Sequence, residues 1–301
     1  MPVMKSRWLR GSLLVYPSNM PGTEYHVDAT NGDDDNTGLD WANSLASINA
    51  AIDKCTADQD DYVWVKECWN TDAATITVDV NRTHIIGVGG GGASGDGRFN
   101  NYCMLAATGD TPIFTVTGDY CEIAGFQLGG GATKSGIQCD SPLCLWVHNC
   151  MFGPADIGDT PAYGILCSAG QVNAYMLIEN NIFLGSGGSC QGTITADGIC
   201  AGGTNNLRST TIRNNIFVAL PGIAINLANA YGAVVIDNRI AMDADTTGSA
   251  ITMGAGSTGC CIMGNMANYG KADGTNSGYT DGSSTNCWSG NEEGNDPTYP
   301  A

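Results

Sequence analysis

Positive charge is scarce in this chain. Twelve Lys and Arg stand against 30 Asp and Glu, the net charge is −18, and only 14% of the 301 residues are charged at all. Such a surface repels phosphate backbones and anionic lipid, so neither nucleic acid nor membrane is an expected partner. No apolar run approaches the roughly 20 residues that a membrane-spanning helix needs. Histidine is held to three residues and the 13 cysteines include no C-x-x-C pair, which disfavours zinc and leaves no cofactor to expect. Acids are missing altogether before Glu24, yet the run Leu13-Leu14-Val15-Tyr16 is too short for a secretory signal.

What is present is repetition. Val147-His148-Asn149, Ile178-Glu179-Asn180, Ile212-Arg213-Asn214 and Ile236-Asp237-Asn238 are each followed two residues later by Met151, Ile182, Ile216 or Ile240. The Asn-to-Asn intervals are 31, 34 and 24 residues, and Ile123-Ala124-Gly125 and Ile262-Met263-Gly264 extend the series by 24 and 26. Apolar and polar residues alternate at period two, which suits half-buried strands and not helices. Alternation across a strand then predicts two inward columns: Cys121, Leu145, Met176, Thr210, Val234, Cys260 and Ile123, Val147, Ile178, Ile212, Ile236, Ile262. The same rule places Asn149, Asn180, Asn214 and Asn238 inside, where carboxamides stacked about 4.8 Å apart would satisfy one another as a structural ladder. A second strand recurs as Gly136-Ile137-Gln138-Cys139, Gly164-Ile165-Leu166-Cys167, Asp197-Gly198-Ile199-Cys200, Gly222-Ile223-Ala224-Ile225 and Ala250-Ile251, with its glycines read as positive-φ corners.

This pattern resembles the right-handed parallel β-helix of the pectin-lyase-like superfamily, an all-β, single-chain solenoid. Tyr25-His26-Val27-Asp28, the loop from Asn31 to Gly38, Trp41 and the segment from Leu45 to Ile52 are similar to the entry cap of such proteins. There an amphipathic helix plugs the open end, protecting apolar core and unpaired backbone. The expected organisation is a docking arm over 1–22, a cap over 23–66, the solenoid over 67–270 and a C-terminal cap or tail over 271–301. In that last segment Trp288 is expected to cover the Met266 layer. With 42 Gly and few charges, one elongated body is expected and no second domain.

Four features offer chemistry. The outward column His148, Glu179, Arg213 and Asp237 contains two carboxylates, Glu179 and Asp237, two rungs or about 9 to 10 Å apart, near the upper limit for an inverting glycosidase. Arg213 between them lowers both carboxyl pKa values where a general acid needs one raised, so the column reads as a surface ion-pair series and no catalytic residue is assigned. Asp33, Asp34 and Asp35 imitate the start of a calcium loop, but Thr37 and Ser44 occupy later ligand positions, which excludes an EF-hand and leaves a solvated turn as the expectation, with a structural cation held in another geometry as the alternative. The glycines from Gly87 to Gly95 lack the Lys-Ser/Thr pair of a phosphate loop. Cys121, Cys139, Cys167 and Cys260 act as small hydrophobes, although stacked coils bring Cys139 and Cys167 within disulfide range.

The basic start, with Lys5, Arg7, Trp8, Leu9, Arg10 and Leu13, combines cations with apolar anchors and suits a partner interface. It resembles the leader of some tailed-phage structural proteins. The two resemblances together imply a virion component, a β-helical capsid decoration or fibre, assembled in the host cytoplasm and attached to capsid or other virion proteins by this arm. By analogy with phage solenoids a homo-oligomer, a trimer, is expected. The competing expectation is a polysaccharide-binding or polysaccharide-degrading spike protein using a surface groove of Trp146, Tyr163, Tyr175 and Tyr231.

Overall fold

Short apolar-polar-apolar segments separated by tight corners fold into strands of two to six residues. The computed structural model describes residues 22–66, 69–70, 75–88, 103–107, 110–130, 134–153, 161–168, 170–185, 194–201, 206–242, 249–268 and 278–293. The strands form three long sheets of ten, nine and eight strands and a short one of three. Neighbours within each sheet follow chain order, so each inner coil contributes one strand to each long face before the next coil stacks on it, while the end coils are incomplete. Representative pairings, such as Val147 with Ile178 and Ile178 with Ile212, are parallel. Closely stacked parallel strands leave each coil's backbone satisfied by the coils above and below, and only the ends open.

The first inward column runs Val63, Ile85, Ile123, Val147, Ile178, Ile212, Val235, Ile262, every member 0 or 1% exposed. It departs from the expected column at one coil. Ile212 pairs with Val235 and Arg213 with Ile236, so Ala233 and Val235 point inward where Val234 and Ile236 were expected. The unbroken apolar run Ala233-Val234-Val235-Ile236 carries no alternation from which to fix its register. A similar slip, of two residues, occurs on the eight-stranded face, where Ile225 and not Ile223 pairs with Ile199.

The larger correction concerns the asparagines. Asn149, Asn180 and Asn214 have φ of 51, 56 and 55° and stand at a left-handed corner, shared by Asp237, Gly125 and Gly264. The corner rotates the chain, so the alternation carried through it fails by one residue and the following side chain turns inward. Asn181, Asn215, Asn238 and Asn265 are therefore the wholly buried file. Each Nδ2 donates to the Oδ1 of the next member, at 3.1 Å from Asn181 to Asn215, 3.0 Å to Asn238 and 2.9 Å to Asn265, and the file ends on Asn291. Each Nδ2 also donates to a carbonyl one coil back, Val147, Ile178, Ile212 and Val235 in turn. Of the four asparagines expected inside, Asn238 alone is inside. Cys150 opens the file, its backbone N–H donating to Asn181 Oδ1 and its thiol pushed up to about 12 by burial.

Beside the asparagines, Phe152, Phe183 and Phe217 stack with centroids 4.5 and 4.6 Å apart and planes within 9°. Gly136, Gly164 and Gly198, opening the second strand, make room for these rings, while Gly222 lies against Asp197 and Ala196. These glycines do not supply positive φ, which is recorded at none of Gly136, Gly164, Gly198 and Gly222. A Cβ on Gly164 would sit 2.6 Å from Phe183 Cδ1 and 2.7 Å from the carbonyl oxygen of Gly198. Gly164→Ala is expected to destabilise by about 2 kcal/mol, because ring and backbone on both sides are already packed; urea unfolding read by far-UV circular dichroism checks this.

At the N-terminal end a short α-helix, Ile48–Ile52, buries Ile48, Ala51 and Ile52 and is capped by Ser47, whose side chain accepts from Ala50 N. At the other end Trp288 lies in register with Ile262 and 5.7 Å from the ring of Tyr279. Met266 instead faces outward at 48% exposure, so Trp288 does not cover it. Cys139 and Cys167 are registered partners, both buried, and no disulfide joins them.

Candidate functional site

The outward face of the ten-stranded sheet holds an unusual concentration of polar groups. Alternation aims two files of side chains outward: Tyr62, His84, Glu122, Trp146 in one and Trp64, Ile86, Ala124, His148, Glu179, Arg213 in the other. On a solvated face such residues would be open to water. Here His84, Glu122, His148 and Glu179 are 5, 8, 9 and 4% exposed.

Burial of charge requires pairing, and the pairing is complete at these four side chains. Glu122 Oε2 lies 2.8 Å from His84 Nδ1 and Oε1 lies 2.8 Å from His148 Nε2. The second nitrogen of His84 faces Asp60 at 3.4 Å, and Asp60 is gripped by Arg82 through Nε and Nη2. The second nitrogen of His148 accepts from Asn149 Nδ2 at 2.8 Å. Small Ala124, directly opposite His148, leaves the diagonal space through which His148 reaches Glu122. Aromatic rings roof the row: Tyr62 stacks on His84 at 4.5 Å and Trp146 on His148 at 3.7 Å. Trp146 Nε1 then donates to Glu179 Oε1, and Arg213 Nε to Glu179 Oε2 at 2.7 Å.

Charge states follow from this geometry. Burial would raise the Glu122 carboxyl, but the His148 and His84 hydrogen bonds outweigh it and bring the pKa down to about 2. Burial disfavours the His84 imidazolium, yet Asp60 and Glu122 on either side outweigh burial and raise its pKa. Burial likewise opposes the ionised Asp60, and the His84 and Arg82 contacts override it and lower its pKa. The row is a fixed alternation of charge, Arg82, Asp60, His84, Glu122, in which each ionised group stabilises the next.

Of the residues singled out in the sequence, His148, Glu179 and Arg213 belong to this face, and Glu179 and Arg213 form the expected ion pair. Asp237 does not join them, because the register brings Ile236 opposite Arg213 and leaves Asp237 at the left-handed corner. The Glu179 and Asp237 carboxylates are therefore not members of one column. His84, Glu122 and Asp60 were missed, because the degenerate coils that carry them lack the asparagine used to align the repeats. The three-residue spacing of Glu122-Ile123-Ala124 against Trp146-Val147-His148 was the available signal.

The acidic loop serves the fold. Asp34 Oδ1 accepts from Ala46 N and Ser47 N at 2.8 Å and Oδ2 accepts from Ser47 Oγ, while Asp33 Oδ1 accepts from Asp35 N. Among the described residues, no group of three or more His, Cys, Asp and Glu side chains is arranged to hold a metal. Among the described residues, no helix is long and apolar enough to cross a membrane. Lys5, Arg7, Trp8, Leu9, Arg10 and Leu13 lie outside the described residues, as do Gly89 to Gly95. The supposed aromatic groove is divided: Trp146 faces out from the ten-stranded sheet and Tyr163 lies in the eight-stranded one, while Tyr231 ends a strand of the short sheet and Tyr175 stands at the corner that follows that sheet.

No protein-family model matches the chain, and no curated protein matches it. Solved structures do. A lacto-N-biosidase from Eubacterium ramulus aligns over 90% of this chain and 56% of its own, with 12% identity and a TM-score of 0.52. This chain thus spans little more than half the length of that enzyme. A rhamnogalacturonan lyase aligns over 82% of this chain and 69% of its own at 12% identity and TM-score 0.45, and a rice weevil pectin methyl esterase over 82% and 87% at 10% and 0.43. At such identities the likeness concerns the fold alone, and it agrees with the coil-by-coil parallel register: this chain is a right-handed parallel β-helix.

Proposed function

We propose that the chain is a β-helical structural component of a tailed-phage particle, a capsid decoration or fibre displayed through residues 1–22, and that its ten-stranded face is a cohesive element and not a catalytic one. One observation carries the second half of this reading. Every ring nitrogen of His84 and His148 and every carboxylate oxygen of Glu122 and Glu179 is already bonded within the face. A general base needs a lone pair directed at substrate, and a general acid a proton to release near neutral pH. A carboxyl held at about 2 between two imidazoles supplies neither. The attachment half rests on the basic, tryptophan-bearing start of the sequence and its likeness to phage leaders. Homo-oligomerisation as a trimer belongs to the same proposal.

Two measurements test it. The full chain is expected to co-sediment with particles stripped of it, while a version lacking residues 1–22 folds with the same circular dichroism spectrum and stays in the supernatant. Attachment of the truncated chain at full level would overturn the proposal. Incubation with host surface polysaccharide is expected to release no oligosaccharide. Release that disappears in both Glu122→Gln and Glu179→Gln would make the face an active site.

A further inference from the structure

The corner preceding the ten-stranded sheet carries side chains that its backbone disfavours. Arg82, Tyr120, Cys144, Tyr175 and Ser209 have φ between 47 and 60°, and the same position in later coils is Gly232 and Gly259. Register is fixed by backbone bonds: Tyr120 N donates to Leu143 O, Cys144 N to Ala174 O, Tyr175 N to Arg208 O, Ser209 N to Tyr231 O and Gly232 N to Thr258 O. Tyr120 and Tyr175 thus stand two coils apart in one file, and Tyr231, one residue before the corner, stands two coils further on. All three rings are in solvent, 55, 62 and 42% exposed. Arg208, on the coil between Tyr175 and Tyr231, lies over the Tyr231 ring at 5.9 Å.

A bulky residue at positive φ is strained where glycine is not, and such strain persists where it serves a site. Twice the strained residue is a tyrosine whose ring, among the described residues, stacks on no other ring. Spacing identifies what the rings suit. Two coils rise about 9.6 Å, and an extended β-1,4-linked chain of hexoses presents the same sugar face every second residue, about 10 Å apart. Rings two coils apart can therefore each take the apolar face of an alternate sugar, as aromatic surfaces take apolar bodies that carry polar edges. The net charge of −18 disfavours a polyanion and favours a neutral chain.

We propose that Tyr120, Tyr175 and Tyr231 form a binding strip for an extended neutral β-1,4-linked glucan, with Arg208 bonding hydroxyls between the second and third platforms. The strip runs along the corner that borders the His84–Glu122–His148 face and involves no bond cleavage. It goes beyond the particle-borne role and is read independently of attachment.

Cellohexaose titrated into the full chain, followed by calorimetry and by tyrosine ring signals in NMR, tests this. Saturable binding is expected, at least tenfold tighter than to cellobiose, which spans one platform, and than to maltohexaose, whose α-linked chain curls. Tyr175→Gly is expected to weaken cellohexaose binding at least tenfold while the melting temperature holds or rises, because glycine relieves the corner. Tyr175→Phe keeps the ring and is expected to keep binding within about threefold. Equal affinity for maltohexaose, no saturable binding of cellohexaose, or unchanged binding in Tyr175→Gly would overturn the strip. So would a fall in melting temperature for Tyr175→Gly, since the ring would then be holding the fold.

Discussion

Replacing Asn215 by leucine is expected to destabilise the solenoid by about 3 to 5 kcal/mol, each buried polar group left without a partner costing about 1 to 3 kcal/mol. Asn215 Oδ1 receives Asn181 N at 3.0 Å and Asn181 Nδ2 at 3.1 Å, and its own Nδ2 serves Ile178 O and Asn238 Oδ1, both at 3.0 Å. Leucine fills a similar volume, so the loss is one of hydrogen bonds and not of packing, and it strands two donors and a carbonyl where water does not enter. Asn214, one residue earlier and in the column that sequence alternation points inward, should behave oppositely. It sits at φ 55°, exposed to solvent. Asn214→Gly is expected to be neutral or stabilising by about 0.5 kcal/mol, since glycine accepts that conformation without penalty while giving up some unfolded-chain restriction. Chemical unfolding of the two variants side by side decides between the files; comparable losses at Asn214 and Asn215 would contradict the observed register.

That pair shows what the sequence disclosed. Period-two alternation and the recurrence of branched aliphatics were enough to give parallel coils and most of the inward columns, because hydrophobic burial is written residue by residue. Corners are written differently. A left-handed residue interrupts alternation, and Asn, Asp and Gly all tolerate it, so Asn180 and Asn214 looked like core amides when Gly125 and Gly264 at the same place in degenerate copies already marked the position as a turn. The doubled Asn180-Asn181 and Asn214-Asn215 hold both answers, one amide turning the chain and the next lining the core. The polar face was less legible. Its partners come from coils separated by 24 to 38 residues, such as Asp60 with His84 and His84 with Glu122, and the long-range register that aligns them is a property of the folded coil count. The tyrosine strip was half visible: Tyr175 and Tyr231 stood out as exposed aromatics, but only the fold shows that Tyr120 joins them and that Trp146 and Tyr163 do not.

Glu122→Gln is expected to change not only stability but its dependence on pH. In the native chain the Glu122 carboxyl falls from an ordinary 4.5 to about 2. A depressed carboxyl stabilises the fold above its unfolded pKa, and that contribution disappears as pH falls from about 4.5 through about 2, a total on the order of 3 kcal/mol. His84 acts in the other direction. Its folded pKa lies above 6.5, so its contribution is complete below that value and is lost as pH rises through the raised one. The groups facing this pair are Asp60 and Arg82 from the preceding corner and His148 from the following coil, and Tyr62 covers the His84 ring. The electrostatic support of the face is therefore greatest between about pH 4.5 and 6.5. Glutamine keeps the shape but carries no charge, so it removes the acid limb due to residue 122 and leaves the His84 imidazolium with Asp60 as its anionic partner. Urea unfolding from pH 2 to 8 should give a difference between native and variant chains near 3 kcal/mol at pH 5 to 6 that closes toward pH 2. A constant difference across that range would mean that Glu122 contributes through packing, and the charge alternation along the face would lose its claim to hold the coils together.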